Sequence, residues 1–428
     1  MYQMAANENA ADVLAPEPLP PYTLIAEGQP MSTEATQAVL PPAFEHLEID
    51  AGPRATVDKD IFDTIQCIET ADAMTFTLEG IRGAHVSVCT DDENMYSGHV
   101  CVQTRCASKP ADESEYPIPV VSVDDENEGC TVVRFEQDPR CSGQKASELR
   151  SEYRITLPAQ MMQLMRLRLS EDSHLEMRQC KGIEDLEIDA AVVEGSVALG
   201  RISVKAIRVA VNSGTIDARG VKCSGSAQFI ATRGRIQIHD TSSASIRVNA
   251  PAAAVAVNDS HAHDISVKTQ TASVSMQRVR ATDTMDVSSV SGSISLDDVA
   301  TSFLTIMSDT ASVGGVWAVG EQLKIIANSA VVNGRLRRLE HTNAGCECTI
   351  RTRAMPVHLQ VDADFAGSFD LRANGSVARF DLATQNPHTS FSQYFLAWMQ
   401  GSVWAGTAIH RPYSLFIENE NAPIVVTA

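Results

Sequence analysis

Two short segments of this sequence carry residue types that could do chemistry. Asp297-Asp298 sets two carboxylates side by side, and glycoside hydrolysis uses a pair of carboxylates as acid and base. His261-Ala262-His263-Asp264 offers imidazole and carboxylate groups, which are ligands for zinc. Adjacent acids in a turn are usually solvated, however, and no second ligand cluster accompanies His263 and Asp264 in the sequence. We therefore interpret both segments as polar turns, and we predict no catalytic, cofactor-binding or metal-binding residues.

Clusters of cysteine and of arginine are further candidates for chemistry. The ten cysteines include six from Cys67 to Cys141 and the close pair Cys346 and Cys348, but no Cys-x-x-Cys pair of the kind that binds zinc. Two interpretations stay open: free, partly buried thiols, or a disulfide framework, which would require export. A basic run predicts either a solvated face or a site for an anionic partner, and it consists of Arg335, Arg337, Arg338, Arg351 and Arg353.

The elements that position these residues belong to a repeat. A first series of apolar residues recurs every 19 or 20 positions: Val209, Phe229, Val248, Val267, Val287, Ile306, Ile325. A second series follows each member by seven residues: Ile216, Ile236, Val255, Val274, Ile294, Val313, Val332. Apolar residues alternate with polar ones around both series, so each repeat is expected to contain two strands, the first arm and the second arm, each with one buried face.

A small residue separates the two arms in every repeat: Gly195, Gly214, Gly234, Ala253, Ala272, Gly292, Ala311, Ala330. Because alanine occupies half of these positions, we interpret them as a tight corner without room for a side chain and not as a left-handed backbone. Ser or Thr often precedes the small residue, as in Ser213 and Thr271, and is expected to bond the backbone of its own turn.

These patterns predict an all-β chain: a parallel β-solenoid, or β-helix, with 19–20-residue coils. We expect a disordered, proline-containing acidic tail over 1–43 and an irregular all-β module over 44–158 with an acidic loop at 91–129. Solenoid repeats follow over 159–375. A capping segment with a final strand pair completes the prediction at 376–428. The composition, 44% apolar but only 5% aromatic, suits thin stacked coils.

Charge and hydropathy restrict the partners. The formal net charge is -20, and residues 1–150 hold 27 acids and 9 bases, a balance of 9 - 27 = -18. Nucleic acid and anionic membranes repel such a surface, so neither is expected as a partner. The N-terminus lacks the basic and apolar regions of a secretory signal, and no stretch is apolar enough for a spanning helix. The default expectation is a cytoplasmic protein that does not insert into membranes.

One motif in the tail could recruit a protein. Leu19-Pro20-Pro21-Tyr22 has the form of a ligand for a WW-type domain, and its prolines favour the polyproline II conformation. We therefore expect an unknown protein partner, with a WW-type domain as one candidate.

The repeat resembles an adhesin-like β-solenoid family of unknown function, whose members include head domains of auto-transporter adhesins. The best matches are Val211-Asn212-Ser213-Gly214-Thr215-Ile216 and Val290-Ser291-Gly292-Ser293-Ile294-Ser295-Leu296, and Arg154-Ile155-Thr156-Leu157-Pro158 is similar to an element that precedes such repeats. The resemblance covers about 150–375 and implies a cell-surface protein as the alternative location.

The functional expectation is a non-enzymatic interaction or scaffold protein that presents a rigid, adhesin-like solenoid surface. A carbohydrate-binding or carbohydrate-active β-helix is the alternative. The outward positions of neither arm place two acids on adjacent coils or form an aromatic column for sugar stacking, so the sequence favours the first.

Overall fold

The computed structural model describes residues 62–69, 74–81, 84–90, 99–106, 119–127, 130–137, 151–157, 162–169, 172–180, 183–339, 345–362, 365–381, 389–395, 397–403 and 413–428. All regular elements in these ranges are strands, which confirms the all-β prediction. The described residues contain no helix that is long and apolar enough to span a membrane. The tail predicted at 1–43, with its Leu19–Tyr22 motif, lies outside the described residues.

The strands before the regular repeat are β1 (Phe62–Glu69), β2 (Met74–Ile81), β3 (Ala84–Thr90), β4 (His99–Cys106), β5 (Pro119–Asn127), β6 (Cys130–Gln137), β7 (Ser151–Leu157), β8 (Met162–Leu169) and β9 (Ser173–Arg178). The regular repeat comprises β10 (Glu187–Val204), β11 (Ala206–His239), β12 (Ser242–Ala250), β13 (Ala252–Asn258), β14 (His261–Thr269), β15 (Val274–Gln277), β16 (Arg280–Ser289), β17 (Ile294–Ser308), β18 (Val313–Ala327) and β19 (Val332–Arg338). The strands that follow are β20 (Glu347–Thr352), β21 (Val357–Val361), β22 (Gly367–Ala373), β23 (Ala378–Asp381), β24 (Thr389–Phe395), β25 (Trp398–Val403), β26 (Tyr413–Asn419) and β27 (Ile424–Thr427).

Successive first arms pair in parallel, and so do successive second arms. In the first-arm ladder Val248 lies opposite Val267, and Val267 lies opposite Val287, register steps of 19 and 20 residues. In the second-arm ladder Val255 pairs with Val274 and Val274 with Ile294. Every member of both apolar series is buried, so their inward assignment is confirmed. Like residues stacked in columns fill the interior, which explains how the coils form a core with few aromatic side chains.

A third, short ladder completes each coil, although the sequence indicated only two arms. Val204 pairs with Cys223, Cys223 with Ser243, and Ser243 with Ala262, and all four side chains are buried. Hydroxyl groups interrupt this column, so its periodicity is not apolar. The hydroxyls are satisfied locally: Ser243 Oγ donates to the carbonyl of Ser245 at 2.6 Å.

The corner between the arms exists in two forms, which corrects the interpretation that no left-handed backbone is needed. Gly195 and Gly214 have φ values of +139° and +144°, and a Cβ on Gly214 would lie 1.7 Å from the carbonyl oxygen of Gly195. The alanine corners, such as Ala253, are absent from the positive-φ positions of the described chain. Glycine is therefore required at Gly195 and Gly214, where the corner turns through positive φ, whereas corners such as Ala253 accommodate alanine.

The hydroxyls that bond the corner are also different from those expected. Thr271 Oγ1 donates to the carbonyl of Pro251 in the preceding coil at 3.5 Å, so it links coils and does not bond its own turn. The bond within the turn comes from a buried hydroxyl two positions earlier, since Thr269 Oγ1 donates to the carbonyl of Ala272 at 3.0 Å. Ser308 and Ala311 repeat this arrangement at 2.8 Å.

Coils at both ends of the stack are interleaved, and their order differs from the order of the sequence. The coil formed by β2 and β3 lies between β6–β7 and β8–β9, with parallel pairing on both sides. At the other end the strand pair β26–β27 lies between β20–β21 and β22–β23. Strands from the region predicted as a separate module at 44–158, and the final strand pair, thus extend the same ladders.

Antiparallel strands finish the first-arm ladder at its far end. β25 pairs antiparallel with β22, and β24 pairs antiparallel with β25. These strands lie within the predicted capping segment 376–428 and contain the aromatic residues Tyr394, Phe395 and Trp398. They occupy the hydrogen-bonding edge of β22 that a further parallel coil would otherwise take.

The buried cysteines have raised pKa values, and alkylation can test this. Loss of hydration raises the pKa of Cys223 to about 12 and that of Cys346 to about 12, and the pKa of Cys348 rises well above 9.0. We expect iodoacetamide at pH 8 to spare these three thiols in the folded chain and to alkylate them in urea, as measured by peptide mass spectrometry. Half-buried Cys89 is the internal control and should react first.

The raised pKa values of the buried thiols also determine how the free energy of unfolding changes with pH. In the unfolded chain these thiols ionise from about pH 9, whereas Cys223 and Cys346 stay protonated in the folded chain until about pH 12. Their contribution to the free energy of unfolding is therefore complete below pH 9 and is lost as the pH rises towards 12. Rapid alkylation of Cys223 without denaturant would contradict its placement in the third ladder.

Candidate functional surface

The outward positions of the two arms form a regular surface along the stack. In the first arm they are Arg208, Gln228, Arg247, Ser266, Asp286, Thr305 and Lys324, and in the second arm Asp217, Gln237, Ala256, Ser275, Ser295, Gly314 and Asn333, all exposed or half-buried. The parallel register sets these residues directly above one another, as with Ser275 and Ser295. Side chains on this surface therefore repeat at the spacing between coils, about 4.8 Å.

The second-arm face is flat because its side chains are small. Ser275, Ser295 and Gly314 follow one another in register, and Ser273 and Ser293 stand exposed beside them. Beyond Gly314 the face deepens into a recess of about 360 Å³, lined by Gly315, Asn333, Gly334, Arg335, His358, Leu359, Gln360, Val425 and Thr427. A flat polar face with a recess at one end is a shape that a partner with an extended surface can cover.

A second corner joins the second arm to the third ladder. In several coils this corner is formed by a residue with left-handed backbone, and these residues stack in a ladder. Non-glycine residues occupy it at φ values between 49° and 56°: Arg201, Asp240, Asp259, Arg278 and Asp298. Asp259 accepts hydrogen bonds from Arg278 Nε at 2.5 Å and from Arg278 Nη2 at 2.9 Å. The bond from Arg278 lowers the pKa of Asp259. Aspartate tolerates this conformation better than most residues, which accounts for its recurrence here.

The acid pair Asp297-Asp298 belongs to this corner ladder. Both side chains are exposed, and both act on Arg278 of the preceding coil through their negative charge, which helps to raise the pKa of that guanidinium. The pair is therefore the acidic end of a charge ladder that alternates Asp259, Arg278 and Asp298, as in a solvated corner.

The histidine segment at 261–264 lies at the third corner of its coil, which joins the third ladder at Ala262 to the first arm around Val267. It gains a partner there that the sequence did not show. His263 Nε2 is 3.8 Å from Asp283 Oδ2 of the next coil, and its Nδ1 is 2.9 Å from Thr282 Oγ1. His263, Asp264 and Asp283 each place a possible ligand atom within 4.8 Å of the others. The sequence shows no second ligand cluster beside this segment, but the stacking of coils brings Asp283 of the adjacent coil next to His263 and Asp264.

The basic run pairs with acids. Arg335 Nη2 lies 3.2 Å from Asp362 Oδ1, and Arg351 and Arg353 lie 3.7 Å and 3.6 Å from Glu418 and Glu420. Glu418 lies in β26, the strand inserted between β20 and β22, and Glu420 directly follows that strand. Acids within the described chain therefore partly neutralise this run, which weakens it as a site for an external anion.

A third group of chemically capable residues was missed by the sequence analysis altogether. His85 of β3 and His174 and Glu176 of β9 come together on the outer side of the second-arm ladder. Residues 85 and 174 belong to strands that are distant in the sequence, so no local motif indicates this cluster. Predicting it would have required knowing that the coil of β2 and β3 is inserted next to β8 and β9.

Comparison with known proteins gives one family match. Residues 121–301 match the family model described as Toastrack DUF4097. No curated protein matches the chain.

Two solved structures show only distant likeness. A candidate cell adhesion protein from Clostridium sporogenes is 8% identical, with a TM-score of 0.19 over 86% of this chain and 99% of its own. A candidate adhesin from Parabacteroides distasonis is 8% identical, with a TM-score of 0.24 over 85% and 97%. TM-scores of this size do not indicate a shared function. The resemblance to an adhesin-like β-solenoid family of unknown function is confirmed by the Toastrack DUF4097 match across residues 121–301.

Proposed function

We propose that this chain is a non-enzymatic, adhesin-like interaction protein that presents a rigid β-solenoid of 19–20-residue coils to a protein partner. The observation that carries the proposal is the flat second-arm face, in which Ser275, Ser295 and Gly314 stand in register along the stack. A continuous hydrogen-bonded ladder holds these positions fixed, so binding there costs little conformational entropy. The family resemblance favours the cell surface as the place of action, with the cytoplasm as the alternative.

Charge ladders at the corners support the same function. Arg278 bridges Asp259 and the Asp297-Asp298 pair across three coils, and exposed ion pairs of this kind contribute to orientation and specificity more than to affinity. The tail motif Leu19-Pro20-Pro21-Tyr22 remains a separate proposed contact for a WW-type domain.

A pair of face variants of the full chain tests the proposal. Ser275→Arg with Ser295→Arg adds two long cations to the second-arm face, and Ser266→Arg with Thr305→Arg adds the same groups to the first-arm face. We expect the first pair to reduce partner capture by about tenfold or more, and the second to leave it unchanged. Captured proteins are cross-linked to the immobilised chain in cell extract and quantified by mass spectrometry.

Two measurements make the outcome decisive. Melting temperatures of both variants should match the parent chain, because outward substitutions leave the buried columns intact. Equal capture by all three proteins would overturn the assignment of the binding face. Loss of the same partners in a Tyr22→Ala variant, with both face variants unaffected, would transfer the interaction to the tail motif.

A further inference from the structure

Two histidines and a glutamate from interleaved coils form a compact cluster. His85 of β3 lies directly opposite His174 of β9, and Ser87 lies opposite Glu176, so the three side chains project from one face. One possible ligand atom from each of His85, His174 and Glu176 lies within 4.8 Å of the other two. The histidine rings meet edge to face, with centroids 4.8 Å apart.

Neighbouring groups already orient two of the three side chains. His85 Nε2 is 3.2 Å from Glu176 Oε2, while the other carboxylate oxygen of Glu176 contacts Nε of Arg178. His174 Nδ1 contacts Ser196 Oγ of the next coil. If Nδ1 carries the proton of that contact, Nε2 keeps its lone pair. Such outer contacts fix the tautomer of a ligating histidine and the direction of a ligating carboxylate.

Burial of the cluster is intermediate, as a metal site on a sheet surface requires. The Glu176 side chain is 19% exposed and that of His85 is 42% exposed, so the first is held by its surroundings and the second can be reached by an ion.

The cluster at the third corner is a weaker candidate for the same chemistry. It contains a single histidine, His263, whose side chain is 61% exposed. Its Asp264 already accepts a hydrogen bond from Thr284 Oγ1 at 2.5 Å. Exposed groups of this composition are common without a metal, whereas two histidines and one carboxylate are a ligand set that zinc uses.

We propose that His85, His174 and Glu176 bind one divalent transition-metal ion, with Zn²⁺ as the ion whose ligand chemistry fits best. Three protein ligands leave one coordination position for water or for a group of a partner. The ion would fasten β3 to β9, two strands that the sequence separates by 174 - 85 = 89 positions. It would therefore secure the interleaved coil at this end of the stack.

Isothermal titration of the full, untagged chain with ZnCl₂ tests the proposal. We expect one ion per chain with micromolar or tighter affinity, and a melting temperature that rises by several degrees with zinc. His85→Asn and His174→Ala should each weaken binding by about 100-fold and abolish the thermal shift, and Ser196→Ala by about tenfold. The matched control is His358→Ala, which removes an outward histidine of the same ladder at the far end of the stack and should bind normally.

Each remaining outcome is informative. Co²⁺ should bind at the same stoichiometry and show visible absorption bands that disappear in the His174→Ala variant. Zinc binding that survives in the His85→Asn and His174→Ala variants but fails in His263→Ala would overturn the assignment in favour of the third corner. Folded parent chain, checked by circular dichroism, that gives neither heat nor thermal shift at about 1 mM zinc would show that the cluster is only an ion pair between coils.

Discussion

Val267→Asp is expected to lower the free energy of unfolding by about 4 kcal/mol or more, the largest effect of any single change considered for this chain. Val267 is fully buried and lies between Val248 and Val287 of the neighbouring coils. A carboxylate there would lose its hydration without gaining a charged or hydrogen-bonding partner. Because each coil of a solenoid depends on its neighbours, the defect would also weaken the coupling between coils on either side.

The adjacent outward residue provides the control. Ser266→Asp places the same carboxylate one position earlier, on the half-buried outer face, and should change the free energy of unfolding by less than about 1 kcal/mol. Urea titration followed by circular dichroism measures both variants. Equal destabilisation of the two would show that the first-arm column does not point inwards.

Trp317→Ala is expected to cost about 3–5 kcal/mol, since it empties the largest fully buried side chain of the described core. The room for this indole is provided by the next coil. A Cβ on Gly334 would lie 2.1 Å from Cη2 of Trp317, so the glycine is present because the ring occupies the space of its side chain. Trp317→Phe should cost much less, because it also removes an indole N–H that is buried and has no hydrogen-bond partner among the residues that the structure describes.

A double-mutant cycle isolates this contact. Gly334→Ala alone should cost about 1–3 kcal/mol through overpacking against the ring. In the Trp317→Ala background the same substitution should be neutral or stabilising, because the added methyl group enters the cavity. Additive costs, again from urea titration, would contradict direct packing of the two residues.

The sequence predicted the two apolar columns well because their signal is redundant. Each column, exemplified by Val267 and Val274, repeats at nearly constant spacing, and the offset of seven residues never changes. The third ladder gave no such signal, since its buried positions alternate Cys223 and Ala262 with Ser243. A serine hydroxyl that bonds the backbone nearby can occupy a buried position of this ladder as well as a methyl group can. Hydropathy therefore does not show which residues of the third ladder point inwards.

Contacts between distant segments escaped prediction for a topological reason. Inference from a repeat assumes that each coil lies next to the coils before and after it in the sequence. That assumption holds for Asp259 and Arg278, which are 19 positions apart, but it fails for His85 with His174 and for Arg351 with Glu418. The side chains that are best able to bind a ligand or a metal therefore lie where the order of coils in the stack differs from their order in the sequence.

Because coils are interleaved at both ends of the stack, the order of synthesis determines when each of these coils can pair with its neighbours. The coil of β2 and β3 leaves the ribosome before either of its neighbours, and it must wait for β6–β7 and β8–β9 before both of its edges are paired. At the other end β26 and β27 emerge after the strands on both sides of them. β26 and β27 are thus synthesised after the strands that they separate. A chain stopped before residue 413 would leave coil 347–361 without the neighbour that separates it from coil 367–381.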